Sequence, residues 1–297
     1  MLVQNILNGI SLGSVYALIA VGFALIFNVL KFSNFSQGGV MTVTAYAGYV
    51  ASRYLSEHLD SSLVLFSAVL AAAALSGALI AAAVERLAFR RLRRTKSEPV
   101  YYFISSITMG ILLENLITIY ASSNFYSYPR FFTTSAVPLF GVNVAVTDMM
   151  MFALSITALL ALLFILYRTK IGLGIRAACF DVNTVQLMGM NPDFLVTMAL
   201  MISGTLGGVS GVFLGMNYTL YPQLGQMVVK GFVASVLGGL GSIHGAVIGA
   251  VLLGVLEIFF ISWVGAGWAP VFIFVVMLAF LLVRPRGIAG VIVQEKA

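Results

Sequence analysis

From Ile6 to Leu30 the chain carries no charged residue, and apolar runs of similar length return along the sequence, set apart by short clusters of charge. The hydrocarbon core of a bilayer is about 30 Å thick and takes roughly 20 helical residues to cross, so runs of this length read as spans. In hydrocarbon every backbone polar group needs an internal partner, which leaves only helices and closed barrels. Barrel strands alternate in segments of about 10 residues, whereas these runs are longer and continuous. Helices are therefore expected. With 61% hydrophobic and 9% charged residues and a mean hydropathy of +1.05, the composition is far from that of a soluble domain, which carries about a quarter charged residues. The single Cys179 excludes an internal disulfide and a cysteine metal cluster. Residues 1–8 lack a basic n-region and the first run is span-length, so no cleavable signal peptide is expected.

Spans are expected at 6–30, at 32–52 (with the helix proper from about Gln37), and at 61–84, 100–121, 149–167, 194–216, 243–262 and 268–283. The stretch 227–241, with Lys230 near its start, is too short for a comfortable span. The expected fold class is an all-α polytopic membrane protein of about 8–9 transmembrane helices with one short or broken segment, forming one transmembrane domain over 1–297. Trp263 and Trp268 mark an interfacial turn. Place the N-terminus outside and let the short segment cross. The inside then holds Lys31, six basic residues within 86–96, Arg168, Lys170, Arg176, Arg284, Arg286 and Lys296, which are 13 of the 16 basic residues. The positive-inside rule favours this arrangement, with the C-terminus cytoplasmic. A re-entrant 227–241 would move Arg284 and Arg286 outside. On either count 168–193 is cytoplasmic.

That stretch is too polar to cross a bilayer. From Ile175, the residues Ala178, Val182, Val185 and Met188 recur at helical spacing, with Phe180 and Leu187 off the stripe, and Gly189 and Pro192 can end the helix. An amphipathic helix here needs the membrane surface or a partner protein to lie against. An internal echo links Phe35–Gly48 with Tyr221–Phe232, each breaking an apolar run with Gln and Gly. Paired Gly-interrupted segments often line a transport path, and the plain alternative is two loop-to-helix junctions. Asn34, Ser36, Gln37 and Gln226 are path candidates on that basis. Glu114 and Glu257 join them as ionisable residues inside spans, expected toward the outer ends of their helices. Glycines at i,i+4 spacing, such as Gly204 and Gly208, read as helix-packing ridges.

Gly208-Val-Ser-Gly211 with His244 has the look of an intramembrane serine protease dyad, but Ser210 and His244 are expected at different depths, and a dyad needs them within about 3 Å. No phosphate loop, His-Glu-x-x-His or Cys/His metal spacing occurs, so no ATP site, metal site or directly bound cofactor is expected. The basic run within 86–96 reads as a membrane-flanking loop that meets lipid rather than nucleic acid.

Asn8-Gly-Ile-Ser-Leu-Gly-Ser-Val-Tyr-Ala-Leu-Ile-Ala-Val-Gly-Phe-Ala-Leu-Ile-Phe27, Asn34-Phe-Ser-Gln-Gly-Gly-Val-Met41 and Gly231-Phe-Val-Ala-Ser-Val-Leu-Gly-Gly-Leu-Gly-Ser-Ile-His-Gly-Ala-Val-Ile-Gly249 together resemble the permease subunits of branched-chain amino-acid ABC importers. Ser36, Gly39 and His244 depart from the residues usual there (Ala, an acid and Pro). The resemblance implies the ABC-importer permease fold and a non-enzymatic role. It also implies that 168–193 is a coupling loop whose helix, narrowed to about 175–189, docks in an ATPase groove. Arg176, Ala177, Ala178, Asp181, Val185 (Ala is usual here) and Gly189 are the implied coupling residues. The implied partners are two cytoplasmic ATPase subunits that use the ATP, a second homologous permease subunit and an extracytoplasmic solute-binding protein. The implied location is a bacterial-type cytoplasmic membrane. The implied cargo is a branched-chain or related amino acid, with urea, short amides or another small polar solute as the alternative. An ion-coupled secondary carrier is the rival of a different class.

Overall fold

The uncharged runs do fold as helices. The computed structural model describes every residue except Met1, Asp60, Lys96, Arg130, 132–135, 140–141, Asp181, Met188, Arg286 and 290–297. In chain order the helices are α1 (Leu2–Leu30), α2 (Ser36–Ser56), α3 (Ser62–Val84), α4 (Arg90–Arg94), α5 (Pro99–Ala121), α6 (Val146–Arg168), α7 (Lys170–Phe180), α8 (Val182–Leu187), α9 (Pro192–Tyr218), α10 (Val228–Gly238), α11 (Ile243–Val264) and α12 (Ala269–Val283). Local chemistry sets several starts. Pro99 and Pro192 occupy first-turn positions that need no N–H donor. The Asn191 side chain accepts from the Asp193 N–H at 2.9 Å, and Ser242 accepts from the Gly245 N–H at 3.1 Å.

Among the described residues, six helices are long and apolar enough to cross a membrane: α1, α3 with its extension, α5, α6, α9 and α11. Helix α2 has the length at 21 residues, and α12 is shorter at 15. The expected short segment is α10, whose 11 residues rise only about 16 Å. A 3-10 helix, Pro222–Met227, leads into it. The protein is thus an all-α polytopic membrane protein.

Two features were not expected. The helix of α3 does not stop at Val84 but passes through a π-helical turn, Glu85–Phe89, into α4, so the basic run is helix rather than loop. Phe89 is buried, its ring tilted against that of Phe32 with centroids 5.3 Å apart, which gives that extension an apolar anchor. Part of the polar connection between α5 and α6 forms an antiparallel hairpin, β1 (Ala136–Leu139) with β2 (Val142–Ala145), in register Ala136 to Ala145. Alternation over four residues is too brief to stand out beside runs of 20.

The chain groups into two packed units, 1–25, 134–156 and 229–297 in the first and 26–133 and 157–228 in the second. In the first, α11 runs antiparallel to α1: Gly9 lies against Val255, and Gly13 lies against Val251 and Gly254. In the second, α3 and α9 touch backbone to backbone, and a Cβ on Gly77 would run into the Gly204 carbonyl. Lipid supplies no hydrophobic drive between helices, so such close approach is what holds them. The glycine ridge read from the sequence is this seam.

Candidate functional site

Three of the expected path residues converge at the start of α2. Asn34 Oδ1 accepts from the Ser36 N–H at 3.1 Å and from the Ser36 hydroxyl at 2.7 Å, fixing the turn that enters the helix. The next side chain, Gln37, is buried, and neither its amide nitrogen nor its amide oxygen has a hydrogen-bond partner among the described residues. Ser203 of α9 has a buried hydroxyl in the same condition. Both face a small cavity of about 10 Å³, lined also by Asn34, Ser36 and Gly204 and otherwise by aliphatic side chains of α1, α2, α3 and α9. Leaving a buried polar group without a partner costs about 1–3 kcal/mol, so a cavity of this size favours an ordered water. Its lining holds no charged residue. It can bind by hydrogen bonds and not by ion pairing.

The two echoing segments meet. Gly38 and Gly225 pack carbonyl against α-carbon, with no room for a side chain at either. Glu114 of α5 lies over the same spot: a Cβ on Gly225 would sit 2.7 Å from its Oε1. Tyr221 is close by, and burial together with the Glu114 charge pushes its phenol above the ordinary tyrosine range. Gln226 is exposed, as are Thr108 and Asn115 on the outer face of α5. A span that shows Thr108 and Asn115 on its outer face is not facing lipid alone. Gln37 and Gln226, both path candidates, lie in different surroundings, one buried and one exposed.

Glu257, in the first unit, is not a solvated acid near a helix end. Its Oε1 is 2.5 Å from Lys230 Nζ, which also donates to the Tyr16 hydroxyl at 3.1 Å. Tyr16 lies midway along α1, so Lys230, expected near the start of the short segment, is an intramembrane residue. Nothing in the periodicity marked the pair, because the two residues come from separate helices.

The protease-like residues show no sign of activation. The Ser210 hydroxyl is buried and donates to the Gly207 carbonyl of its own helix at 2.9 Å. His244 is an exposed residue in the first turn of α11.

The polar stretch 168–193 is helical over α7 and α8; Asp181, between them, lies outside the described residues. Its apolar stripe faces inward, with Ile175, Ala178 and Val185 buried. The two side chains off the stripe face outward, Phe180 93% and Leu187 88% exposed. Of the expected coupling residues, Ala178 and Val185 therefore support the helices from within. Ala177 is half-buried, Gly189 is exposed at φ +79°, and the Arg176 guanidinium stacks 4.9 Å from the centre of the Tyr167 ring. Burial pushes the Cys179 thiol up from its ordinary range, opposed by the Lys31 charge.

Beside this stretch is a charge clamp that sequence reasoning missed. Arg93 bonds Glu85 at 2.6 Å and Asp193 at 2.7 Å, and Asp193 also faces Arg90 at 3.4 Å and Arg94 at 3.8 Å. The clamp ties the π-turn after α3 to the first turn of α9. The only sequence signal was two acids, 85 and 193, at the edges of polar stretches.

Long small-residue-packed helices with polar interruptions inside the spans define a multi-pass membrane protein. The family model described as branched-chain amino acid transport system / permease component matches residues 5–281. The chain is 30% identical, over 97% of its length and 95% of the relative's, to the high-affinity branched-chain amino acid transport system permease protein LivH of Salmonella typhimurium. It is 31% identical to BraD of Pseudomonas aeruginosa with the same coverage, and 27% identical to a probable LivH of Methanocaldococcus jannaschii over 92% of this chain and 88% of that one. A solved structure, PsaBC from Streptococcus pneumoniae in complex with Fab, overlays at a TM-score of 0.46 with 16% identity, covering 94% of this chain and 89% of that chain. This chain belongs to the family of branched-chain amino-acid transport permease components.

Proposed function

We propose that the chain is the translocation subunit of an ATP-driven importer for branched-chain or related amino acids in a bacterial-type cytoplasmic membrane. The observation that carries this is the outward-facing Phe180 and Leu187 on α7 and α8. Two large apolar side chains held out on a polar stretch are suited to a protein groove, and the sequence has no phosphate loop of its own. The partners are two cytoplasmic ATPase subunits, a second homologous permease subunit and an extracytoplasmic solute-binding protein. The N-terminus is outside, and the coupling stretch and C-terminus are cytoplasmic, as the positive-inside rule favours.

The mechanism is alternating access, in which nucleotide-driven closure of the ATPases shifts α7 and α8. The buried stripe of α7 and α8 and the Asp193–Arg93–Glu85 clamp tie that motion to α9 and α3. Both helices wall the Gln37–Ser203 cavity, so its width changes with the ATPase state. The uncharged lining of that cavity supports a second cargo reading, urea or a short amide.

The complete complex is to be reconstituted in liposomes with internal ATP and supplied with labelled leucine or urea. Leucine uptake that needs ATP and the ATPase subunits is expected. Uptake by the purified chain alone under an ion gradient sinks the importer reading in favour of a secondary carrier.

A further inference from the structure

We propose that Lys230 and Glu257 are the docking point for the zwitterionic head of the transported amino acid, whose carboxylate takes the Lys230 ammonium and whose ammonium takes the Glu257 carboxylate. This rests on the reading that the cargo is an amino acid. Within the first unit, α1, α10 and α11 meet at the height of Tyr16, the middle of a 29-residue helix. Charges at that depth are expensive, and a buried ion pair is weak evidence of a merely stabilising role. These helices do not need one to stay together. Gly13 against Gly254 and Gly238 against Gly245 already bring their backbones into contact.

The pair is also only half used. Glu257 Oε1 accepts from Lys230, but Oε2 is buried with no hydrogen-bond partner among the described residues. The Glu257 side chain is 4% exposed and that of Lys230 is 17% exposed, so the cluster opens through its cation. The Tyr16 ring lies 5.6 Å from Nζ, near enough for its face to stabilise a cation. An entering zwitterion would exchange one ion pair for two. Its carboxylate meets the cation first, freeing Glu257, and its ammonium then satisfies both carboxylate oxygens. The net charge at membrane depth stays zero throughout, so the exchange avoids the cost of burying an unpaired ion. Urea or another uncharged solute would gain nothing from such a pair.

The test uses the complete complex in liposomes, with labelled leucine and urea as probes. The double variant Lys230→Met with Glu257→Gln leaves no unpaired charge. It is expected to assemble and keep ATP hydrolysis while leucine uptake falls at least tenfold. The swapped variant, Lys230→Glu with Glu257→Lys, keeps an ion pair but exchanges the two ends, and the same loss is expected. A structural pair would survive the swap. Leucine uptake at the unmodified rate in either variant overturns the docking point while leaving the amino-acid reading intact. An unmodified complex that imports urea but not leucine overturns the cargo reading, and the docking point with it.

Discussion

Gln37 is held in a buried place where its amide has no partner among the described residues, which no demand of folding explains. A side chain kept at a cost to stability marks a site whose partner arrives from elsewhere. Gln37→Leu is expected to raise stability by about 1–3 kcal/mol, seen as a higher melting temperature in detergent, because it removes the unsatisfied groups. It should also lower transport. If stability and uptake are both unchanged, the cavity has no role in the path. Phe180→Asp is expected to release the ATPase subunits on co-purification and cut uptake at least tenfold, with membrane insertion unaffected. Normal uptake would leave α7 and α8 no partner but the membrane surface. Burial sets the Cys179 thiol above its ordinary range, so less of it is thiolate at neutral pH. Its alkylation by a maleimide at pH 7 is expected to be slower than that of an exposed thiol and to rise steeply with pH beyond the ordinary thiol range.

At the scale of elements, the π-turn and α4 change what the basic run is for. Its length and charge read as a membrane-flanking loop, yet it continues the α3 helix and presents Arg93 to Glu85 and Asp193. Charge alone could not show this, because whether a helix continues past the membrane edge depends on what its far end packs against; here that is Phe32 and α9. Arg93→Ala leaves Glu85 buried without its partner, and the expected loss is about 3–5 kcal/mol, read as a lower melting temperature. Adding Glu85→Gln should recover part of the stability and none of the coupling. The coupling stretch shows a similar division. Its stripe was legible as helical periodicity, whereas the outward direction of Phe180 and Leu187 was not, because periodicity gives a face and not what the face meets.

At the scale of the whole molecule, the family and the all-α polytopic class follow from the sequence, while of the eight or nine expected spans six helices among the described residues are long and apolar enough to cross a membrane. Hydrocarbon thickness and internal hydrogen bonding allow an uncharged 20-residue run little besides a transmembrane helix. The small-residue spacing likewise fixed the close seams in advance, since only glycine at those positions lets the α3 and α9 backbones touch. What tertiary structure alone decided is where the polar groups inside the spans go. Gly38 and Gly225 were legible as an echo, but only the fold brings them together beneath Glu114. Lys230 and Glu257, 27 positions apart, read as a charge near the start of the short segment and a helix-end acid until packing joined them. The physical reason is the same in each case. Apolar length is a local property that the bilayer reads one helix at a time, while the partner of a buried polar group comes from another helix and exists only once the helices have packed.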